Sequence, residues 1–233
     1  KKVLSSKINL LILISIFLLL FLKCIFFLDP DFGWHIKMGE LIQSLGIPAT
    51  DPFSYTMSSF PFVDHEWLTN VILYLLYQNV GYAGLAVIFS LISLFSILIM
   101  FKEKNESYFL VPFVLSAGAI FPSLGIRPQL ISWLFFSILI SIFFDKKHYN
   151  KLRFFLPVFF LIWTNLHGGF AIGVLLLLLF SIFKIWQEKK ISIVDFLIIA
   201  LSVLATLVNP YGIHIWREVY MQMSDTSLRW SIS

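Results

Sequence analysis

Two aspartates directly after the first apolar segment are the carboxylates best placed for acid–base chemistry. They are Asp29 and Asp31, which stand in the stretch Asp-Pro-Asp-Phe-Gly-Trp-His. A carboxylate at the mouth of an apolar helix bundle is partly desolvated, which raises its basicity and suits it to accept a proton from a hydroxyl. The same position is also typical of a helix cap, because Asp31 would precede a helix that begins near Phe32.

A second polar group stands at the start of another predicted helix, in the tripeptide Asp-His-Glu. Carboxylate oxygens and imidazole nitrogens suit Mg²⁺, Mn²⁺ or Zn²⁺, so this group could bind a divalent cation. The alternative is a cap by the aspartate at the membrane interface. A zinc protease is excluded, since the second histidine of His-Glu-x-x-His is missing. The candidate cation ligands are Asp31, Asp64, His65 and Glu66, with His35 as a further possibility.

Two further turns carry polar residues that could meet a substrate. Asn165 and His167 lie in Thr-Asn-Leu-His-Gly-Gly, and polar groups at membrane depth usually face a cavity or a partner. A structural turn allowed by the two glycines is the alternative. Arg127 is one of few basic residues on its predicted side, where it could recognise a phosphate or snorkel to lipid headgroups.

The amino-acid composition indicates which classes of protein the chain can belong to. Of its 233 residues 59% are hydrophobic and 13% are charged, whereas a soluble domain is about half apolar and about a quarter charged. This excess of hydrophobic residues cannot fit in a soluble core, because the surface would be left without charge. The composition therefore excludes a soluble domain, a disordered chain and a collagen-like fibre. The basic residues are not gathered in one patch, so the net charge of +4 does not indicate a nucleic-acid partner. The single Cys24 excludes an internal disulfide.

The apolar runs predict an all-α polytopic membrane protein of about seven spans in one domain, 1–233. With the N-terminus in the cytoplasm, most of the 17 Lys and Arg residues fall in loops on the inner side, as the positive-inside rule requires. Those inner loops are 1–7, 102–106, 145–153 and 184–192. The predicted spans are 8–28, 84–101, 107–124, 128–144, 154–166, 170–187 and 193–208.

The outer loop, 29–66, is expected to carry the chemistry between two juxtamembrane helices. The first helix has an apolar stripe and is stopped by Gly46 and Pro48. The second covers 67–80 and ends at Gly81; at about 21 Å it is too short to cross an apolar layer of about 30 Å. The stripe of the first helix is formed by Met38, Leu41, Ile42 and Leu45.

The two ends of the sequence indicate an N-terminal membrane anchor and a C-terminal truncation. Residues 8–22 resemble the apolar region of a signal peptide but lack a small-residue cleavage site, and Lys23 is followed by more apolar residues. We therefore expect an uncleaved anchor over residues 8–28. Because the sequence begins at Lys1 without Met and stops at Ser233 within the pattern, we expect it to be truncated at its C-terminal end.

This arrangement resembles the GT-C superfamily of polytopic glycosyltransferases, which includes protein O-mannosyltransferases and lipid A aminoarabinose transferases. The resemblance rests on one span, an outer loop that opens with Asp-Pro-Asp, two juxtamembrane helices and six more spans. Four short stretches also look like a bacterial subgroup of such proteins. They are Asp31–Ile36, Asp51–Thr56, His65–Leu68 and Asn165–Phe170.

The resemblance implies a membrane enzyme that moves a sugar from a polyprenyl-phosphate carrier to a cell-envelope acceptor. It implies a location in the inner membrane of a bacterium, with membrane lipids and the lipid-linked donor as partners. Asp31 would be the base, with Asp29 the second choice. His35, His65, Glu66 or a bound cation would position or neutralise the donor phosphate. Related transferases often have Lys-Pro-Pro-Leu where this chain has His65–Leu68, and some have an acidic pair near the position of Arg127.

Two other classes of function stay open. A transporter or lipid flippase would use the same apolar spans, but the sequence has no inverted repeat and its polar residues gather at one face rather than at the midplane. A non-catalytic scaffold that kept the fold is the other alternative.

Overall fold

The computed structural model describes residues 2–56, 59–100, 111, 114–119, 121, 124–144, 146–190 and 192–224. In these residues the regular structure is helical, and the only pairing of extended backbone is the isolated bridge between Thr50 and Pro61. The all-α fold class expected from the composition is therefore confirmed for the described part of the chain.

The helices belong to two compact units. The first unit is drawn from Lys1–Lys37 and Ile72–Ser141, and the second from Met38–Val71 and Ile142–Ser233. A short 3₁₀ turn, Arg153–Phe155, joins the fifth and sixth helices. The named α-helices are α1 Lys2–Phe26, α2 Phe32–Leu45, α3 Trp67–Met100, α4 Gln129–Phe144, α5 Lys146–Leu152, α6 Leu156–Leu166, α7 Phe170–Glu188, α8 Ile193–Ala205 and α9 His214–Ser224.

The named helices occupy six of the seven predicted apolar runs, and residues 114–119 of the remaining run are helical as well. Among the described residues, two helices are long and apolar enough to cross a membrane, α3 and α7. A third candidate arises if α4 and the bent segment Lys146–Leu166 are counted as one broken span. Shorter apolar helices cover Leu10–Phe26 and Ile193–Ala205. Half of the predicted span 107–124 and the whole of the predicted inner loop 102–106 lie outside the described residues. The helices are thus those of a helical membrane protein.

Glycines end the two predicted juxtamembrane helices at the expected places. Gly46 has φ of 89° directly after α2, and Gly81 has φ of 64° and ψ of −172° inside α3. Both values of φ lie in the left-handed region, which glycine adopts at little cost. The predicted helix 67–80 and the predicted span that begins at residue 84 are therefore two helical segments of α3, with Gly81 between them.

The core of the first unit is apolar with a row of hydroxyls inside it. Leu20, Leu85 and Leu130 are almost fully buried there. Three buried serines of α3 satisfy their hydroxyls within the helix by donating to carbonyls four residues earlier, which lets small side chains stand in an apolar core. They are Ser90, Ser93 and Ser96.

The core of the second unit is built on aromatic residues of α6 and α7. Phe160 and Trp163 are stacked with ring centroids 5.9 Å apart, and both are buried. Phe170 packs edge-on against Trp216, with centroids 5.1 Å apart. Gly173 leaves the space that the indole of Trp163 fills, since a Cβ at this position would lie 2.2 Å from Trp163 Cζ3. This close packing fixes α7 against α6.

We predict that Gly173→Ala destabilises the second unit, because the added methyl group meets a buried indole that has no room to move. Overpacking of this kind costs about 1–3 kcal/mol. Thermal unfolding in detergent measures the effect. Gly33→Ala is the matched control, since a Cβ there meets nothing within 4 Å. Equal melting temperatures for the two variants would contradict this packing.

We predict that the loop 29–66 is extracytoplasmic and that α5 is cytoplasmic, because the positive-inside rule orients the basic loops inward. The test labels single cysteines at Gln43 and Asn150, both exposed, in a Cys24→Ser background with a membrane-impermeant thiol reagent. Gln43→Cys should react in intact cells and Asn150→Cys only after permeabilisation. The opposite result at residue 150 would invert the loops and make 67–80 a span.

Candidate functional site

In the first unit, Asp29 connects an arginine and the start of a helix. Its Oδ2 accepts a hydrogen bond from Nε of Arg127, and its Oδ1 accepts one from the backbone amide of Asp31 at 2.9 Å. Asp29 is buried, while the side chain of Arg127 is 40% exposed. A buried carboxylate needs such a partner, because an unpaired charge away from water costs several kcal/mol. The pair therefore fixes where Arg127 stands.

The two aspartates of the Asp-Pro-Asp motif have different surroundings. Asp29 is buried, its backbone carbonyl accepts the amide of Phe32 at 3.1 Å, and its side chain accepts the amide of Asp31. The side chain of Asp31 is exposed, and its backbone carbonyl accepts the amide of His35 at 3.0 Å at the start of α2. Of the two aspartates expected to be partly desolvated, only Asp29 is buried, and Arg127 compensates that burial.

His35 lies one turn into α2, in the same unit. It is buried, and its ring packs edge-on against Trp34 with centroids 5.1 Å apart. Four predicted site residues thus belong to the first unit, where contacts join Asp29 to Arg127 and to Asp31; the four are Asp29, Asp31, His35 and Arg127.

In the second unit, one glutamate is shared by two histidines. Oε1 of Glu66 lies 3.1 Å from Nε2 of His167 and 3.4 Å from Nε2 of His65. Glu66 is buried, and the two imidazole rings are 6.0 Å apart at an angle of 74°. A Cβ at Gly168 would lie 2.8 Å from Cδ2 of His65, so this glycine is needed for the rings to approach. The acid and the two bases form one compact cluster.

The hydrogen bonds of His167 define its tautomer. Nδ1 of this ring accepts the amide hydrogen of Gly169 at 2.9 Å. Nδ1 therefore carries no hydrogen, and the ring N–H is on Nε2, which points at Glu66.

At Glu66 and His65, burial and the neighbouring polar groups shift the pKa in opposite directions. Burial raises the pKa of Glu66, but hydrogen bonds from His167 and His65 outweigh it and hold the pKa well below its ordinary value. Burial lowers the pKa of His65, but the hydrogen bond and charge of Glu66, followed by the charges of Asp64 and Glu218, raise it above its ordinary value. The hydrogen bond between Glu66 and His65 thus favours the charged forms of both groups against the cost of their burial.

Asp64 caps the helix that carries this cluster. Its Oδ1 accepts the amide of Glu66 at 2.9 Å, and its Oδ2 accepts Nδ2 of Asn70 at 2.8 Å. Burial raises the pKa of Asp64, and these two hydrogen bonds oppose the shift without cancelling it. The nearby hydroxyl of Tyr211 is buried, which raises the pKa of Tyr211 to about 12. The sequence allowed two roles for Asp64, a cation ligand or a cap. The hydrogen bonds of its side chain are those of a cap.

Asn165 joins three parts of the second unit. Its Oδ1 accepts Nε1 of Trp67 at 3.0 Å, and its Nδ2 donates to the carbonyls of Leu161 at 2.8 Å and Val208 at 2.9 Å. Thr69 adds a hydrogen bond to the carbonyl of Leu166 at 2.5 Å. The polar atoms of the Asn-Leu-His-Gly-Gly turn therefore hold helices together, which corresponds to the structural alternative for this motif.

The predicted cation ligands do not form a recognisable metal site in the described part of the chain. No group of three or more His, Cys, Asp or Glu side chains there has an arrangement that could hold a metal ion. Asp31 belongs to the first unit and the other three predicted ligands to the second. Asp64 and Glu66 already accept hydrogen bonds from amides and imidazoles. The divalent cation stays a prediction from sequence alone.

Sequence reasoning missed the partners rather than the residues. Arg127 and Asp29 are 98 positions apart, and so are Trp67 and Asn165. The available signal for the first pair was charge, because Arg127 is one of few cations predicted on the same side as the acidic loop 29–66, and opposite charges attract. No local signal pointed to Tyr211.

We predict that Glu66→Gln lowers the unfolding free energy by about 1.5–3 kcal/mol at pH 6, the usual contribution of a hydrogen bond to a charged group. The pKa of Glu66 is lowered from 4.5 and that of His65 is raised from 6.5. The ionised pair therefore adds full stability between these two values and loses it as the pH falls through the first folded pKa or rises through the second.

Thermal unfolding of wild type and Glu66→Gln at pH 6 and pH 9 checks this, and the difference should shrink at pH 9. Asp51→Asn is the control, because it removes a carboxylate whose hydrogen bonds, to the amides of Phe53 and Ser54, stay within a turn. A difference that is the same at both pH values would show that the charge of the pair contributes nothing.

The chain was compared with protein-family models, with curated proteins and with solved structures. None of these comparisons finds a match. The chemistry of this chain is therefore argued from its own residues and their contacts.

Proposed function

We propose that this chain is a membrane glycosyltransferase of the seven-span GT-C type, which moves a sugar from a polyprenyl-phosphate carrier to a hydroxyl of a cell-envelope acceptor. The observation that carries the proposal is the arrangement around Asp29. Its two carboxylate oxygens bind Arg127 on one side and the backbone of Asp31 on the other. A cation and an exposed carboxylate are thereby tied to the same buried residue.

Arg127 suits the phosphate of such a donor. Asp29 engages Nε, and the side chain of Arg127 is 40% exposed. A planar guanidinium can bind two phosphate oxygens at once, and its charge is retained at all physiological pH values. Its role in the reaction would be to neutralise the phosphate as the bond between the anomeric carbon and the phosphate oxygen breaks.

Asp31 suits the acceptor. Its exposed carboxylate can meet an incoming hydroxyl, take up the proton on Oδ1 or Oδ2, and leave the oxygen free to attack the anomeric carbon. Asp29 is less suited to this step, because Arg127 and the amide of Asp31 already occupy its oxygens. We therefore assign Asp31 as the base and Asp29 as a positioning residue.

The apolar surface supports a lipid-linked donor. Exposed Leu and Phe side chains of α1, such as Leu19, Leu22 and Phe26, lie on the segment that leads to Asp29. In a soluble protein such a surface would be a liability, whereas in a bilayer it lets a polyprenyl chain approach from the side. The location in the inner membrane of a bacterium belongs to the same proposal.

We predict that Asp31→Asn is folded and loses about 10²–10⁴-fold in the rate of sugar transfer, the usual contribution of a general base. Arg127→Lys keeps the charge but loses the bidentate geometry, and should mainly raise the KM for the lipid-linked donor. The measurement is transfer of a radiolabelled sugar from a polyprenyl-phosphate donor by membranes with matched expression.

Asp51→Asn is the matched control for charge removal on the same predicted outer loop. Wild-type rates from Asp31→Asn would refute its role as the base. A chain that transfers no sugar from any donor but moves lipid-linked substrate between leaflets would favour the transporter alternative, and a chain that does neither would favour the scaffold.

A further inference from the structure

An open pocket lies in the second unit, where α7 ends and α8 begins. Its volume is about 390 Å³, counting the part that is open to solvent. Residues from α5, α7, the connecting turn and α8 line it, and they include Tyr149, Lys184, Glu188, Lys190, Ser192 and Asp195. None of these side chains has a place in the proposed transfer reaction.

The carboxylate of Asp195 is more than neutralised. Lys184 donates to its Oδ2 at 2.5 Å, and Arg153 donates to its Oδ1 at 2.7 Å. Tyr149 adds a hydrogen bond to Oδ1 at 3.0 Å. Two cations against one carboxylate leave an excess positive charge beside the pocket. A purely structural ion pair would need only one of them.

The second carboxylate of the pocket is also paired. Oε1 of Glu188 lies 3.3 Å from Nζ of Lys146. Lys190 lines the pocket as a further cation. Counting these neighbours, the positive groups Lys146, Arg153, Lys184 and Lys190 outnumber the negative groups Glu188 and Asp195. The pocket is therefore suited to an anion.

A hydroxyl on the rim completes the donor set. Oγ of Ser192 accepts the amide of Asp195 at 3.3 Å, as the N-cap of α8. Because the oxygen acts there as acceptor, the hydroxyl hydrogen can still be donated to a bound ligand. A hydroxyl together with ammonium groups is a donor set typical of phosphate recognition.

The apolar side chains near the pocket indicate where the anion comes from. Trp186 near the end of α7 and Ile193 and Phe196 at the start of α8 are exposed. Lys189 lies over the ring of Trp186, with its Nζ 5.7 Å from the centroid. Exposed tryptophan beside lysine at the end of an apolar helix is typical of the interface between acyl chains and headgroups. Anionic headgroups are at the same depth.

We propose that this pocket binds a phosphate group, as presented by an anionic phospholipid headgroup or by a free phosphate. The proposal is independent of the transfer reaction and of Asp31. It assigns Lys190 and the hydroxyl of Ser192 to direct contact with the phosphate, while Asp195 holds Lys184 and Arg153 in place.

The test measures the melting temperature of the full chain in neutral detergent during titration with phosphatidylglycerol, phosphatidylcholine or inorganic phosphate. Phosphatidylglycerol should raise the melting temperature, whereas phosphatidylcholine should not. Lys190→Gln should raise the concentration for the half-maximal shift about fivefold, the effect expected for one lysine near an anionic surface. Lys190→Glu should abolish the shift.

Lys151→Gln is the matched control, because it removes the charge of another exposed lysine that does not line the pocket. It should leave the titration unchanged. A shift produced by inorganic phosphate alone, with the same response of the variants, would assign the site to a soluble phosphate. Equal responses of Lys151→Gln and Lys190→Gln, or equal shifts with phosphatidylcholine, or no shift with any of the three, would overturn the proposal.

Discussion

The need to pair each buried charge is the constraint on which this structure depends. With few charged residues in an apolar chain, a carboxylate that leaves water must bind a cation or several donors, because an unpaired buried charge costs several kcal/mol, a large fraction of the stability of a typical domain. Asp29 binds Arg127, Glu66 binds His167 and His65, and Asp195 binds Lys184 and Arg153. Except for the adjacent residues His65 and Glu66, these pairs join separate segments of sequence. The pairs therefore specify which helices are neighbours, a task that apolar contacts alone perform poorly in a lipid environment.

The three groups differ in how many of their atoms remain for binding or catalysis. Oε1 of Glu66 contacts Nε2 of His167, and Nδ1 of His167 accepts the amide of Gly169, so this cluster supports the turn before α7. Arg127 has one nitrogen engaged and a partly exposed guanidinium. Asp195 holds two cations for one charge. Only the group around Asp195 has a surplus of positive charge, on which the proposed phosphate site relies. The pair of Asp29 and Arg127 is neutral and offers a partly exposed guanidinium instead.

The sequence predicted the helices better than their partners, and the reason is physical. Apolar runs, together with Gly46 and Gly81, act within a few residues, so helix positions and ends follow from local pattern. The partner of Asp29 is 98 positions away, and no periodicity relates the two. Position after the first apolar run predicted partial desolvation for both aspartates, whereas only Asp29, the residue paired with Arg127, is buried.

The different surroundings of Asp29 and Asp31 divide the work of a single motif. The two oxygens of Asp29 already accept hydrogen bonds from Arg127 and from the amide of Asp31, whereas the side chain of Asp31 is exposed. The proposed transfer reaction therefore assigns positioning to the buried aspartate and proton transfer to the exposed one. Because Asp29 fixes the backbone of Asp31 through a hydrogen bond, moving one residue displaces the other. A motif with two aspartates, one residue apart, can in this way be rigid and reactive at once.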